Sequence, residues 1–275
     1  MQDRLIFWKM QGSGNDFILI DHRQPCLTEA AQRQLVPKLC APKFGIGADG
    51  LILIEPSRRA DFRWRFYNAD GSEAEMCGNG GRCAARFAFL QGIAPAHLTF
   101  ETLAGIIQAE VKGRRVKLGL SQPHSLQLHL EIPVGSEIWH GHFINTGVPH
   151  VVIPVADLAV VPVAEVGRAI RFHPLFQPAG TNVNFISMLG SQEIAIRTYE
   201  RGVEAETLAC GTGSVAAALI AAALHNLSAP LTVHPKSGET LTIYFSQEHG
   251  SFEAVFLEGE AVVVFQGEVW LDELW

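Results

Sequence analysis

The pattern of apolar and polar positions predicts a chain made mainly of short strands. Short runs that alternate or stay apolar, and that are rich in β-branched and aromatic side chains, are typical of strands. In the first half they cover residues 5–9, 17–21, 51–55 and 62–68 and the hairpin-like segment 98–120. In the second half they cover residues 138–144, 150–153, 183–189, 193–199, 231–233, 240–245, 253–257 and 261–265. With the helices described next, this pattern predicts an α+β fold.

Two predicted helices stand out among the strands. The segment 80–90, which follows Cys77, is rich in helix formers and ends close to Gly92, a favourable residue just beyond a helix C-terminus. Residues 212–225 are apolar on every side, which is typical of a helix enclosed by other structure. The strands that follow this helix are its candidate neighbours. Two further helices are predicted, at residues 28–40, capped by Thr28, and at residues 164–170.

One short pattern occurs twice and indicates an internal duplication. The segment Cys77-Gly78-Asn79-Gly80 returns 133 positions later as Cys210-Gly211-Thr212-Gly213, and a helix-like run follows each copy. Two other glycines have counterparts at the same offset. The pairs are Gly14 with Gly147 and Gly47 with Gly180. Three separate segments in one register predict two copies of one half.

The duplication suggests how the chain is organised. A length of 275 residues allows two domains of roughly 130 residues each, and we place the division at Gln122-Pro123, between halves 1–122 and 123–265. The spacing between Tyr67 and Glu73 is one residue shorter than that between Tyr199 and Glu206, so the copies differ by one insertion there. We expect two pseudo-symmetric halves that present one cysteine each to a single cleft.

Composition and charge exclude several classes of protein. The net charge is −7 and the pI is about 5.9. Because Lys and Arg form no cluster, nucleic acid is not an expected partner. No apolar run approaches the roughly 18 residues that cross a bilayer, so no membrane association is expected.

The cysteine count points to a reducing compartment. Five cysteines, an odd number, do not fit a secreted disulfide framework. We therefore expect free thiols and a cytoplasmic protein. Cys26, Cys40 and Cys83 are interpreted as buried structural residues.

Two thiols at two helix starts suggest a specific chemistry. A helix N-terminus offers unpaired N–H groups and a partial positive charge, which lower the pKa of a nearby thiol and bind an anion such as a carboxylate. The amides of Gly78, Asn79, Gly211 and Thr212 are the candidates for that role. Two opposed thiols satisfy the requirement of inversion at carbon: one removes the α-proton from one face, and the other returns a proton from the opposite face.

Eight motifs in this order closely resemble the diaminopimelate epimerase family. They are Gly12-Ser13-Gly14-Asn15-Asp16-Phe17, Phe44-Gly45-Ile46-Gly47-Ala48-Asp49-Gly50, Tyr67-Asn68-Ala69-Asp70-Gly71-Ser72, Cys77-Gly78-Asn79-Gly80, Gly147-Val148-Pro149-His150, Gly180-Thr181-Asn182, Tyr199-Glu200-Arg201-Gly202 and Ala209-Cys210-Gly211-Thr212-Gly213. The resemblance implies interconversion of LL- and meso-diaminopimelate for lysine and cell-wall synthesis, without pyridoxal phosphate, other cofactor or metal. It also implies two similar halves, each a barrel-like sheet around a central helix, with residues 266–275 returning to the first half.

The resemblance also implies roles for individual residues. Cys77 and Cys210 correspond to the catalytic base and acid, and His150 and Glu200 to residues that assist proton transfer. The implied substrate-binding residues, besides Glu200 and the amides named above, are Asn15, Asn68, Asn182 and Arg201. The sequence departs from the common family pattern at Val148, where many relatives have Asn, and at Gly50, where some have Gln.

Other functions remain open at this stage. One alternative is a cofactor-independent racemase of another amino acid on the same fold. A second is a dithiol redox protein, which the lack of a Cys-x-x-Cys pair disfavours. A third is a non-catalytic metal-binding module, for which paired cysteines at ligand spacing are missing. The oligomeric state also stays open, with a homodimer as one outcome.

Overall fold

The computed structural model describes residues 4–248 and 250–274 of the chain, which divides into two compact units. The first unit extends to Leu118 and resumes at Gly259, and the second is Gly119–Glu258. The sequence-based divisions lie at 122/123 and 265/266. Backbone hydrogen bonds account for the observed positions, because the N–H of Leu120 bonds to Val255 in the second unit and the N–H of Ala261 bonds to Arg114 in the first.

The first unit contains nine strands and two α-helices among its described residues. The strands are β1 (Arg4–Gly12), β2 (Asn15–Asp21), β3 (Gly50–Glu55), β4 (Phe62–Asn68), β5 (Glu73–Ala74), β6 (His97–Thr102), β7 (Gly105–Lys112), β8 (Arg115–Gly119) and β18 (Val262–Trp270). The helices are α1 (Glu29–Cys40) and α2 (Gly78–Leu90). A short 3-10 helix, Asp272–Leu274, follows β18.

The second unit, described except for residue 249, also has nine strands and two α-helices. The strands are β9 (His124–Val134), β10 (Glu137–Asn145), β11 (Pro149–Pro154), β12 (Asn182–Met188), β13 (Glu193–Glu200), β14 (Ala205–Thr207), β15 (Leu231–His234), β16 (Leu241–Glu248) and β17 (Ser251–Glu260). The helices are α3 (Val163–Arg171) and α4 (Gly211–His225). A short 3-10 helix, Pro174–Phe176, follows α3.

Both units connect their strands in the same way. In the first unit the hydrogen-bonded order is β18-β1-β2-β3-β4-β6-β7-β8, with β5 added to β4. In the second it is β9-β10-β11-β12-β13-β15-β16-β17, with β14 added to β13. The parallel pairs also correspond: β2–β3 and β4–β6 match β11–β12 and β13–β15. The predicted duplication is therefore visible in the topology.

The pairing at the ends of β4 and β13 shows where the two copies differ in length. Tyr67 lies opposite Glu73, and Tyr199 lies opposite Glu206. The cross-strand partners are the same type of residue in both units, although the second turn is one residue longer. The extra residue is thus accommodated in the turn and leaves the strand register unchanged.

Each sheet wraps its inner face around one helix. Core residues of α2, such as Cys83 and Phe87, pack among buried side chains from β1, β2, β3, β4, β6, β7 and β8. Residues 215–222 of α4 are all fully buried, among side chains from β10 to β13 and from β15 to β17. This enclosure explains why α4 is apolar on every side, as the sequence predicted. Helices α1 and α3 cover the opposite faces of their sheets.

The predicted helices and most of the predicted strands are confirmed. Thr28 caps α1 by accepting the N–H of Ala31, and Gly92 follows α2 with a left-handed φ of +65°. Strand β9 is the main omission. Its leucines at every second position are a strand signal, but Ser125 and His129 have positive φ and interrupt the ladder with β10. None of the described helices is long and apolar enough to span a membrane.

Candidate active site

Cys77 is the N-cap residue of the enclosed helix α2. Its backbone is extended, with φ −144° and ψ 119°, and its Sγ accepts the N–H of Gly80 at 3.5 Å. The carbonyl of Cys77 accepts the N–H of Gly81 at 2.8 Å. The sequence forms a helix start here because small residues follow the cysteine and its sulfur takes the place of a capping hydroxyl. The thiol is partly buried, at the positive end of the helix.

The glycines after Cys77 serve two purposes. A Cβ on Gly80 or Gly81 would lie 3.2 Å or less from core side chains. Tight packing therefore favours glycine at both positions, unless those side chains can move aside. At Gly78, by contrast, a Cβ would meet no described heavy atom within 4 Å. The N–H groups in the first turn of a helix have no intrahelical acceptor. Packing therefore does not explain Gly78, and the N–H groups of Gly78 and Asn79 are candidates for contact with a ligand.

Asn15 stands beside the thiol of Cys77 with a fixed orientation. Its Nδ2 donates to a carboxylate oxygen of Asp49. Its Oδ1 consequently points the other way, 3.7 Å from Cys77 Sγ and 3.5 Å from Asn79 Nδ2. Because a carboxylate only accepts hydrogen bonds, Asp49 determines which end of the Asn15 amide faces the cysteine. Asp49 was not among the residues expected to act in the site.

Lys9 is a buried cation close to the start of β2. Lys9 is 7% exposed and its Nζ lies 2.7 Å from a carboxylate oxygen of Asp16. The same ammonium donates to the carbonyl of Gly47. A buried charge is costly unless it is paired and hydrogen-bonded, and Lys9 is both. The ion pair therefore fixes the start of β2, where Asn15 is located.

Asn68 closes the turn between β4 and β5. Its Nδ2 donates to Ser72 Oγ at 3.0 Å and its backbone N–H donates to the carbonyl of Ser72 at 2.9 Å. The next residue, Ala69, donates to the carbonyl of Asp49 at 3.1 Å. The turn thus attaches to the same segment that orients Asn15.

Cys210 occupies the corresponding position at the start of α4. It is the N-cap residue, with φ −126° and ψ 112°, and is 8% exposed. Its Sγ lies 3.6 Å from the hydroxyl of Thr212. The hydroxyl of Thr146 donates to the carbonyl of Thr212 at 3.1 Å, which ties the first turn of α4 to the end of β10. A Cβ on Gly211 would meet a single described atom within 4 Å, on Leu257 at 3.5 Å.

His150 is completely buried in β11. Its Nδ1 lies 3.2 Å from the side-chain nitrogen of Asn184, on the neighbouring strand β12. Burial lowers the pKa of His150 to about 3, and the positive charge of Arg201 acts in the same direction. The imidazole is therefore neutral at physiological pH. Asn184 was not among the expected site residues, although a polar residue within an apolar strand is a signal of such a role.

Asn182 joins three segments of the second unit. Its Nδ2 donates to the carbonyl of Pro149 at 3.0 Å, and its Oδ1 accepts the backbone N–H of Arg201 at 2.9 Å. Nη1 of Arg201 donates to the carbonyl of Ala179 at 2.7 Å. On the adjacent residue, burial raises the pKa of the Glu200 carboxyl, and a hydrogen bond with Thr207 opposes the rise. Asn182, Glu200 and Arg201 are thus gathered at the end of β13, next to the start of β11.

The structure places the predicted residues in two groups, one in each unit. Asn15, Asn68, Gly78 and Asn79 accompany Cys77 in the first unit. In the second, Thr212 contacts Cys210, and Asn182 and Arg201 adjoin the strand that carries His150. The other cysteines differ from these two. Cys83 is fully buried in the core around α2, and burial raises the pKa of Cys40 to about 12.

Metal-ligating side chains are not clustered in the described part of the chain. Among residues 4–248 and 250–274, no group of three or more His, Cys, Asp or Glu side chains could hold a metal ion.

Comparison with solved structures identifies the fold. A Bacillus anthracis protein of the phenazine biosynthesis PhzF family superposes with a TM-score of 0.75 at 18% identity, covering 97% of this chain and 99% of that one. A hydroxyproline epimerase from Agrobacterium vitis superposes with a TM-score of 0.70 at 16% identity, covering 98% of this chain and 94% of that one. The chain is therefore an α+β protein of the structural class that these two proteins share, with a cysteine capping the enclosed helix in each of its units.

Sequence comparison identifies the family. The profile of the family described as diaminopimelate epimerase matches residues 7–122 and 142–264. The diaminopimelate epimerase of Aquifex aeolicus (strain VF5) is 50% identical over 275 residues, covering 96% of this chain and 97% of the relative. The chain belongs to the diaminopimelate epimerase family, and the predicted family, with its assignment to the isomerases, is confirmed.

Proposed function

We propose that the protein interconverts LL- and meso-diaminopimelate and so serves lysine and cell-wall precursor synthesis. The observation that carries the proposal is the repeated placement of a cysteine as N-cap of the enclosed helix, Cys77 in one unit and Cys210 in the other. Family membership supplies the substrate. The alternative of another amino acid as substrate is retained as an outcome of the experiment below.

The proposed reaction is a two-base proton transfer at the α-carbon. One cysteine, as thiolate, takes the α-proton from one face of the substrate, and the thiol of the other gives a proton to the opposite face. Removal of the α-proton leaves a carbanion. In the proposed reaction, hydrogen bonds to the adjacent carboxylate stabilise this carbanion without a metal or organic cofactor. The amides of Gly78, Asn79, Gly211 and Thr212 are assigned to that carboxylate.

His150 and Glu200 assist the two thiols. Glu200 has the property expected of a residue that exchanges protons, because its raised pKa brings its protonated form closer to neutral pH. Asn15, Asn68, Asn182 and Arg201 are assigned to recognition of the substrate. Arg201 is assigned to the carboxylate at the other end of the substrate, away from the reacting α-carbon. A guanidinium suits this role because it can form two parallel N–H bonds to one carboxylate.

Deuterium incorporation tests the reaction. LL-diaminopimelate is incubated with the protein in deuterated water, and the products are analysed for deuterium at the α-carbon and for configuration. We expect one deuterium per inverted centre and an approach to the LL/meso equilibrium from either isomer. A higher kcat/KM for a single-headed amino acid such as proline or glutamate would contradict the substrate assignment, and no incorporation into any amino acid would contradict the reaction type.

We further propose that the protein is cytoplasmic and forms a homodimer. Ile6 on β1, and Val264 and Trp270 on β18, expose large apolar side chains. Exposed apolar clusters on a sheet are typical of surfaces that associate. Sedimentation should show a dimer, and Ile6→Lys should shift it toward monomer, whereas Leu103→Lys, an equally exposed residue elsewhere in the first unit, should not.

A further inference from the structure

Asn184 is a polar residue within a strand whose neighbours are buried and apolar. It is completely buried between Val183 and Phe185. Its side chain makes three hydrogen bonds. Nδ2 donates to the carbonyl of Val151 at 3.0 Å, Nδ2 also lies 3.2 Å from His150 Nδ1, and Oδ1 accepts the hydroxyl of Thr198 at 3.0 Å. A buried amide with every contact satisfied is held in one orientation.

That orientation determines where the proton of His150 is located. The carbonyl of Val151 can only accept, so the atom of Asn184 beside it must be the amide nitrogen. The second N–H of this nitrogen is directed at His150 Nδ1, which must then be the acceptor. In a neutral imidazole the proton is therefore on Nε2.

The other side of the imidazole has an unused donor. Within the described part of the chain, His150 Nε2 is buried and has no hydrogen-bond partner. A buried N–H without an acceptor is destabilising. The arrangement fits a site that supplies an acceptor only when a reactant is present.

Asn184 also lies against the start of α4. A Cβ on Gly213 would stand 2.4 Å from Asn184 Oδ1 and 3.3 Å from Cys210 Sγ. Glycine at this position therefore allows the amide of Asn184 to approach the turn that carries the cysteine. The side chain connects His150 with the segment that presents Cys210.

We propose that Asn184 is a positioning residue that holds His150 in the neutral tautomer with its proton on Nε2, so that His150 donates a hydrogen bond to an anion of the reaction, a carboxylate or thiolate, and does not accept a proton. This inference deepens the proposed function and rests on it for the identity of the anion. The low pKa of His150 agrees with the neutral ring.

The tautomer is measured without reference to activity. Protein labelled with ¹⁵N-histidine gives long-range ¹H–¹⁵N spectra in which the protonated and unprotonated ring nitrogens are resolved, and His150→Gln identifies the signal of His150 among the 11 histidines. We expect a protonated Nε2 and an unprotonated Nδ1 that persist from pH 8 to pH 5. A protonated Nδ1, or titration of the ring near its ordinary pKa of about 6.5, would overturn the inference.

Variants separate positioning from general stability. In Asn184→Asp a carboxylate replaces the donor, so the ring should become protonated on Nδ1 and its pKa should rise by about 1–3. Thr198→Val is the matched control. It removes the partner of Asn184 Oδ1 but leaves both contacts of Nδ2, and the tautomer should be unchanged.

A double-mutant cycle tests the link to catalysis. Asn184→Asp should lower kcat by about 10- to 100-fold with little change in KM, because a small misplacement of a reacting group can cost up to about 10²-fold in rate. In a protein that already carries His150→Gln, Asn184→Asp should lower kcat by less than about twofold, because Asn184 acts on catalysis only by orienting the imidazole. Full additivity would overturn the inference. An inactive native protein would instead contradict the proposed function, and the spectra would still decide the tautomer.

Discussion

Asp16 and Asp49 exchange hydrogen bonds between the starts of two parallel strands. The N–H of Asp16 donates to Asp49 Oδ2 at 3.1 Å, and the N–H of Asp49 donates to Asp16 Oδ1 at 3.0 Å. Asp16 is also paired with the buried Lys9, and Asp49 orients Asn15. The position of Asn15 beside Cys77 thus depends on the carboxylates of Asp16 and Asp49.

Removal of the Asp49 carboxylate should therefore impair the site at a distance. We expect Asp49→Ala to lower kcat by about 10-fold or more, since the Asn15 amide becomes free to rotate and turn its other end to Cys77. The control is Asp61→Ala, which removes a carboxylate that accepts a backbone N–H, that of Thr99, elsewhere in the same unit. Steady-state kinetics with urea unfolding would distinguish the two. Equal loss of activity in both variants would show that Asp49 acts only through stability.

Serine in place of either capping cysteine should abolish epimerisation. Cys77→Ser and Cys210→Ser should each reduce turnover by at least about 10²-fold, because a hydroxyl is a much weaker acid than a thiol. Each variant should still eliminate the leaving group from a halogenated analogue, which requires proton removal from one face only. Cys26→Ser, at a partly buried cysteine whose pKa is raised by burial, is the control and should remain active. Near-normal epimerisation in either capping variant would contradict the two-base reaction.

Gly78→Ala should separate binding from folding. The position is helical and has open space for a methyl group, and alanine stabilises a helix relative to glycine by up to about 1 kcal/mol. Stability should therefore be equal or higher, while KM should rise several-fold because the methyl group obstructs access to the amides. Gly190→Ala, at another uncrowded glycine in the second unit, should change neither quantity. Thermal unfolding and initial rates provide the measurements, and an unchanged KM in Gly78→Ala would exclude carboxylate binding there.

Arg201→Ala should weaken recognition of the distal head of the substrate. A buried charged group that loses its partner costs at least about 1–3 kcal/mol, which corresponds to a loss of roughly 5- to 150-fold in kcat/KM for diaminopimelate. Val148→Asn should be neutral or mildly beneficial, since it restores an amide that is common in relatives. Arg168→Ala, on the exposed side of α3, is the control for loss of a positive charge. Equal kinetics of the Arg201 and Arg168 variants would argue against the assignment.

Stability should decrease on acidification below about pH 6.5. Burial lowers the pKa of His142 to about 4, and His129 acts in the same direction. Between pH 6.5 and pH 4 the unfolded chain thus binds a proton that the folded chain does not, so this contribution is complete above pH 6.5 and is lost as the pH falls. We expect His142 to contribute a loss of at most about 3 kcal/mol in this range, since one pKa unit corresponds to about 1.4 kcal/mol. His150 contributes with the same sign.

Substitution of His142 should make the profile flatter. Urea unfolding of His142→Leu at several pH values should show a smaller slope between pH 6.5 and pH 4, even though the variant loses the hydrogen bond from the His129 N–H and is less stable at pH 7. A slope unaffected by His142→Leu would show that the pKa of the ring is the same in the folded and unfolded chain.

The sequence predicted the elements better than it predicted their contacts. The helices that begin after Cys77 and Cys210 could be located from the sequence. The glycines, small residues and apolar composition that favour each helix lie within a few positions of its start. The duplication could be recognised from spacing alone, and the structure shows its consequence in the equivalent pairs Tyr67–Glu73 and Tyr199–Glu206.

The roles of Asp49 and Asn184 could not be predicted in this way. Each acts on a residue of a neighbouring parallel strand, Asp49 on Asn15 and Asn184 on His150, at sequence separations of 34 residues in both cases. Parallel neighbours are joined through an intervening helix, so strand register, and not local spacing, decides which side chains meet. A polar residue inside an apolar strand is the signal that such a contact exists, but it does not identify the partner.

The pairing of β18 with β1 has a consequence for the order in which the protein folds during synthesis. The second unit is one continuous segment, so all of its strands can pair as soon as that segment has emerged. The first unit must wait, because β1 lacks its outer neighbour until residues 262–270 are made. Closing such a long loop is slow compared with local pairing. The sheet around the helix that carries Cys210 can therefore be completed before the sheet around Cys77 receives its last strand.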